Sequence, residues 1–333
     1  MKPKIYHDVP RDSHALDHTQ VEYVEKEQDA DFLLCCSTFP THQDPTKTIL
    51  WQKESPITSH RRWTYDNFHL FHTVVTHHPL GDNQIQFTDY PATYPWMPVR
   101  TPIHIRENTT ITKRTICYFG HANKHNADLE DRWGTTTLYG TRTYISEDLL
   151  DCDRYVVYGP TTVPKFKIPG AIMGESAKYH YKHWPGMNPV SKWSELVPKC
   201  EHSSQPSQWL PKLHDINACG ADFILVLENC LQPNLIADKL FDAVASDRVM
   251  LYLGEPHIER HVPPECFVDL RPIFDRTTRR IDARALLAIT DNMTQQEYDG
   301  YIYAAREWRS AFTESRWYEE RAKLTARIVK RLV

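Results

Sequence analysis

The run Phe223-Ile-Leu-Val-Leu227 is unbroken apolar sequence that stops abruptly at the polar pair Glu228-Asn229. A short run with no polar alternation suits a strand buried on both faces, as in parallel sheets. Comparable β-rich runs occupy 31–36, 48–51, 72–76, 115–119, 154–158, 249–253 and 266–268, each closed by polar or turn residues. Helical periodicity lies between or after the later runs. Leu235, Ile236, Leu240, Val244 and Ala245 mark one face in 235–246, and Ala283, Leu286 and Leu287 mark another. An amphipathic stretch then extends from Gln295 to the C-terminus. Strand–helix alternation over 333 residues predicts an α/β protein, most simply two doubly wound units.

Pro91, Pro95, Pro98 and Pro102 punctuate a linker-like stretch, which puts a boundary near residue 110. The segment 160–208, rich in Pro, His, Lys and Trp, reads as a long functional loop or a small insertion. With 41% hydrophobic and 25% charged residues, neither a disordered chain nor a fibrous repeat is expected. The formal net charge of -4 provides no general attraction to nucleic acid or to an anionic membrane. No G-x-G-x-x-G or Walker A sequence occurs among the 11 glycines, so a bound nucleotide must be held without the usual glycine-rich loop.

The N-terminal residues lack the apolar core of a signal peptide, and every apolar run falls far below the ~20 residues of a membrane helix. None of the eight cysteines forms a C-x-x-C. The expectation is a soluble, cytoplasmic protein with free thiols, no membrane span and no nucleic-acid partner.

In open α/β sheets ligands bind beyond the carboxyl ends of strands, where Glu228 and Asn229 fall. Asn234 suits the N-cap of the next helix. That position sets Lys239 near a helix N-terminus, where a cation opposes the macrodipole and a bound anion would relieve the conflict. An exposed lysine neutralised by the adjacent Asp238 is the simpler alternative. Glu54 follows the run ending at Trp51, so a carboxylate at a strand's carboxyl edge becomes a candidate general base, or else a helix cap or surface ion pair. The 18 histidines include His257, His261 with Cys266, the pair His77-His78, and His180 with His183. None has a zinc-finger or H-E-x-x-H spacing, and no metal is expected. The basic and aromatic run 178–184 fits a surface loop better than a base-stacking platform. No G-x-S-x-G is present.

Taken in order, several motifs resemble glycosyltransferase family 10, the α1,3/α1,4-fucosyltransferases. Glu228-Asn229-Cys230, then Leu235-Ile236-Ala237-Asp238-Lys239-Leu240, is similar to the family's Phe-Glu-Asn-Ser followed by Asp-Tyr-Ile-Thr-Glu-Lys-Leu. Val249-Met-Leu-Tyr-Leu-Gly254 resembles Val-Pro-Val-Val-Leu-Gly, and Val262-Pro263-Pro264-Glu265-Cys266-Phe267-Val268 resembles Ile-Pro-Ala-Asp-Ser-Phe-Ile. Tyr301 through Trp308-Arg309 matches a Tyr…Trp-Arg element. Upstream, Glu54-Ser55-Pro56 is similar to the family's Glu-Ser-Pro. The stretches 115–120, 142–149 and 156–159 resemble the opening of its donor domain. The likeness is dense over 223–309 and patchy over 48–160.

This resemblance implies a GT-B fold, two Rossmann-like domains facing a cleft: 1–110 on the acceptor side, and 111–333 binding the donor. The C-terminal helix is free in such a plan to return to the first domain. The implied reaction is inverting, metal-independent transfer of fucose from GDP-fucose to an oligosaccharide or other glycan acceptor, with no separate cofactor. By residue, it implies Glu54 as general base, Lys239 and Arg142 on the donor pyrophosphate, Asp238 near the ribose, and Glu228 and Asn229 shaping the pocket. Leu235 stands where the family has tyrosine, and Asp238 where it has glutamate. These departures leave open another donor, such as UDP-xylose or a further UDP- or GDP-sugar. A catalytically silent carbohydrate-binding protein on the same fold is the alternative of another class. The absence of the animal enzymes' anchor and stem favours a microbial or viral enzyme.

Overall fold

The computed structural model of the chain describes residues 2–7, 16–36, 44–52, 66–76, 81–86, 109–119, 136–149, 151–158, 220–311 and 314–333. Its architecture is parallel-sheet α/β. One sheet contains β1 (Lys4–His7), β2 (Glu22–Val24), β3 (Phe32–Cys36), β4 (Thr48–Gln52), β5 (Thr73–Thr76) and β6 (Gln84–Gln86). Its order is β2-β1-β3-β4-β5-β6, with every neighbouring pair parallel.

The chain continues through β7 (Ile116–Phe119), the short β8 (Thr136–Thr137), helix α1 (Tyr139–Asp148), β9 (Tyr155–Tyr158), β10 (Phe223–Leu227) and the short β11 (Cys230–Leu231). Helix α2 (Asp238–Ala245), β12 (Val249–Leu253), β13 (Phe267–Asp269) and the hairpin of β14 (Phe274–Asp275) and β15 (Arg280–Ile281) follow. Three helices close the chain: α3 (Ala283–Asn292), α4 (Gln295–Ser310) and α5 (Glu314–Leu332). The second parallel sheet has the order β13-β12-β10-β7-β9.

Both sheets share one plan. Their first strand lies between the second and the third, and later strands extend outward on the third strand's side. The direction of winding therefore reverses between β1 and β3, and again between β7 and β10. The carboxyl ends at such a reversal are where α/β sheets open a ligand crevice.

The apolar runs have the physical cause expected of them. Along β10, Phe223, Leu225 and Leu227 enter one core with Ile145 of α1, Leu149 just after it, Leu286 of α3, and Tyr298 and Ile302 of α4. Ile224 and Val226 enter the opposite core with Leu240, Phe241 and Val244 of α2. Successive strand side chains point to opposite faces, so a sheet covered on both sides needs apolar residues at every position. In β4, Ile49 and Trp51 likewise face one core while Leu50 faces another.

All eight runs read as strands are strands. Those not foreseen are short: β1, β2 and β6 mix polar with apolar residues, and β8, β11, β14 and β15 span two residues each. Helix α1 was equally hidden, because it buries Gly140, Thr141, Arg142, Thr143 and Ser146 and has no regular apolar stripe. The amphipathic tail is two helices. Thr294 and Glu297 form a reciprocal capping box at the start of α4. Helix α5 covers the first sheet with Leu324 and Ile328, packed among Ile5, Leu34, Ile49 and Val75. Thr325 Oγ1 accepts the Asp17 N–H at 2.8 Å there, and Arg321 donates to the Leu16 carbonyl. Among the described residues no helix is long and apolar enough to cross a membrane, and Cys35, Cys117, Cys152, Cys230 and Cys266 are free thiols.

Candidate functional site

The carboxyl end of β10, beside the β7/β10 reversal, gathers most of the polar residues singled out above. Asn229 carries its side-chain oxygen into the middle of the group. Arg142 Nη2 donates to Asn229 Oδ1 at 2.8 Å, and to the carbonyls of Leu227 and Glu228 at 2.9 and 2.6 Å. Lys239 Nζ donates to the same Asn229 oxygen at 3.4 Å. Two cations thus converge on one neutral acceptor.

The local chain folds this way because short contacts tie α1 to the strand end. The Leu138 N–H donates to the Asn229 carbonyl at 3.0 Å, and β8 pairs antiparallel with β11 through Thr137 and Cys230. Helix α1 therefore starts against Asn229, and its first turn delivers Arg142 beneath it. The Arg142 guanidinium lies over the Tyr139 ring, 4.6 Å from the centroid, a cation–π contact that fixes its plane. Arg142 is only 1% exposed, and among the described residues it forms no ion pair with a carboxylate. Its charge is compensated by neutral oxygens and an aromatic face, an arrangement that leaves a positive field at the strand end. The Nη2 group is thus held by protein oxygens.

Glu228 is wholly buried and faces the other way. Its Oε1 accepts the Ala237 N–H at 3.0 Å, which anchors the segment leading into α2. Gly254, at the end of the neighbouring β12, makes room for it. A Cβ at Gly254 would lie 2.8 Å from Glu228 Cβ and 2.6 Å from Tyr252 Oη, and would meet Glu228 Cγ as well.

Helix α2 starts at Asp238, three residues later than an Asn234 N-cap implies. Asn234 instead takes φ +62, the left-handed conformation that asparagine tolerates better than most residues. The later start still leaves Lys239 in the first turn of the helix. Leu235, the departure from the family's tyrosine, is 3% exposed and packs with Cys230 and Tyr139. It packs against the ring that lies under Arg142.

The Asp238 side chain, Glu54, the linker 90–106, the segment 160–208 and the pairs His77-His78 and His180 with His183 lie outside the described residues. Among the described residues, no three His, Cys, Asp or Glu side chains are grouped to hold a metal ion. A separate open concavity of about 450 Å³ lies at the β14–β15 hairpin, lined by Asp148, Asp275, Arg280 and Arg284 among others. There Arg280 pairs with Asp148 at 2.8 Å, whereas two cations converge on one oxygen at the β10 end.

Residue patterns alone missed Gly254, Tyr252 and Glu255. The available signal was the one already applied to β10: an apolar run, here β12, ending at polar sequence. The Glu255 carboxyl, 1% exposed, is pushed above the usual carboxylate range by burial.

No family model matches the chain, and no curated protein matches it. Solved structures described as α1,3-fucosyltransferase are similar to it in fold. One is 13% identical, covering 91% of this chain and 80% of that chain, with a TM-score of 0.49. A second, determined with GDP, is 14% identical over 91% of this chain and 81% of that chain, also with a TM-score of 0.49. A third, determined with GDP-fucose, is 13% identical with the same coverage and a TM-score of 0.48.

Proposed function

We propose that this chain is an inverting, metal-independent glycosyltransferase of GT-B type that transfers fucose from GDP-fucose to a hydroxyl of an oligosaccharide acceptor. The observation that carries the reading is the convergence of Arg142 and Lys239 on Asn229 Oδ1 at the carboxyl end of β10. Sugar transfer through an oxocarbenium-like state sends negative charge onto the departing diphosphate, so fixed cations at that point lower the barrier. The ordered motifs over 223–309 support the fucosyltransferase assignment.

In this reading 111–333 binds the donor and 1–110 presents the acceptor. Lys239 meets the diphosphate, while Arg142 acts through Asn229 and through the field of its buried charge. Glu228 shapes the pocket by holding Ala237, and Asp238 takes the position near the ribose. Glu54 removes the proton of the acceptor hydroxyl as its oxygen attacks the anomeric carbon, and the carbon–diphosphate bond breaks on the opposite face. The burial of Leu235 takes away one of the two reasons for a different donor; Asp238 remains the other.

Release of GDP from GDP-fucose, measured against a panel of oligosaccharide acceptors with and without EDTA, tests the assignment. Acceptor-dependent release that EDTA leaves unchanged is expected. No release with any acceptor, from GDP-fucose or from UDP-sugars, would instead favour a silent carbohydrate-binding protein.

A further inference from the structure

Beyond β12 the chain buries a carboxylate that the proposed chemistry does not use. Glu255 Oε1 accepts the Asn234 N–H at 3.0 Å, and Oε2 accepts the His257 N–H. Its own N–H donates to Tyr252 Oη at 3.0 Å. The segment 234–237 is thereby hung from two buried carboxylates: Glu255 takes its first N–H and Glu228 its last. That segment opens directly into α2 and Lys239. It also contains the left-handed Asn234, a conformation that persists where surrounding bonds fix it. On the far side Trp308 Nε1 of α4 donates to the His261 carbonyl at 3.2 Å, steadying the turn that supplies the second N–H to Glu255.

We propose that Glu255 is a positioning residue for nucleoside-diphosphate binding, its carboxylate setting the 234–237 segment and through it the place of the Lys239 ammonium opposite Asn229. The proposal rests on the diphosphate reading of Lys239 and Asn229. The chemistry calls for an ionised acid. A carboxylate offers two acceptor oxygens to two N–H groups, whereas a glutamine or a protonated carboxyl turns one position into a donor facing a donor. Burial raises the cost of that ionisation, and the N–H donors of Asn234 and His257 favour it. Among the described residues, the Tyr252 hydroxyl, Glu228 and Arg271 also lie around it, and Glu259 stands against His257 and Arg271.

Calorimetric titration of the full chain with GDP-fucose or UDP-glucose, whichever the wild type binds, tests this. Glu255→Gln is expected to weaken binding about tenfold at pH 8. The ratio of wild-type to Glu255→Gln affinity narrows toward one on acidification, because protonated Glu255 resembles the variant. In a Lys239→Ala background, Glu255→Gln costs nothing further. If Glu255→Gln does not fold, the pH profiles of wild type and Lys239→Ala carry the test: only the wild type loses affinity through the Glu255 titration. Equal affinities of wild type and Glu255→Gln at pH 8, parallel pH profiles, or an undiminished effect without Lys239 would overturn the proposal. Failure of the wild type to bind either nucleotide sugar would instead remove the diphosphate reading, and the proposal with it.

Discussion

Arg142 and Lys239 share one acceptor: Asn229 Oδ1 receives the guanidinium at 2.8 Å and the ammonium at 3.4 Å. They come from helices nearly a hundred positions apart, and the end of β10 brings them together. One oxygen serves two cations in a partly buried setting, and an anion placed there would be met by both charges.

Lys239→Ala removes the group on the open side of the pair. Its expected effect is a loss of nucleotide affinity of several-fold or more, on the order of 1–2 kcal/mol for a charge-assisted contact, with the melting temperature little changed. Calorimetry with GDP checks this, and unchanged affinity would remove the phosphate role.

Arg142→Lys keeps the charge but loses the planar fork and its seat on Tyr139. Because Nη2 serves two buried carbonyls and the partly buried Asn229 oxygen, stability should fall by about 1–3 kcal/mol, with weaker nucleotide binding as well. Urea denaturation read beside GDP titration separates the two effects.

Gly254→Ala is expected to destabilise the fold by about 1–3 kcal/mol. The added methyl competes with Glu228 and Tyr252, both buried, so neither can give way without disturbing the bond to Ala237. Nucleotide affinity should fall along with stability. Wild-type stability in this variant would show that the strand ends are looser than their contacts indicate.

Glu54→Gln should leave donor binding intact while lowering turnover on the order of 10²-fold or more. Turnover close to wild type would move the general base to another Asp or Glu within 1–110.

The strands were legible because a sheet covered on both faces must be apolar at every position, a pattern that needs no alignment. Glu228 and Asn229 were legible for a related reason: polar residues directly after such a run stand at the strand's carboxyl end, while Lys239 was legible from its place near the next helix's N-terminus. Helix α1 was not, since its buried side chains are mostly small and polar. Arg142 was therefore singled out only through motif resemblance. Asn234 misled because asparagine suits both an N-cap and a left-handed turn, and the bond from its N–H to Glu255, distant in sequence, decided between them. Glu255 itself escaped notice because its partners are backbone N–H groups, which leave no trace in residue type.

The most direct test of the central claim is a thermal-shift panel with GDP, UDP, GDP-fucose, GDP-mannose, UDP-xylose and UDP-glucose, with and without EDTA. The account predicts stabilisation by GDP and GDP-fucose that EDTA leaves unchanged and Lys239→Ala diminishes. Stabilisation by UDP compounds alone would contradict the assigned donor, and no stabilisation by any diphosphate would contradict the site itself.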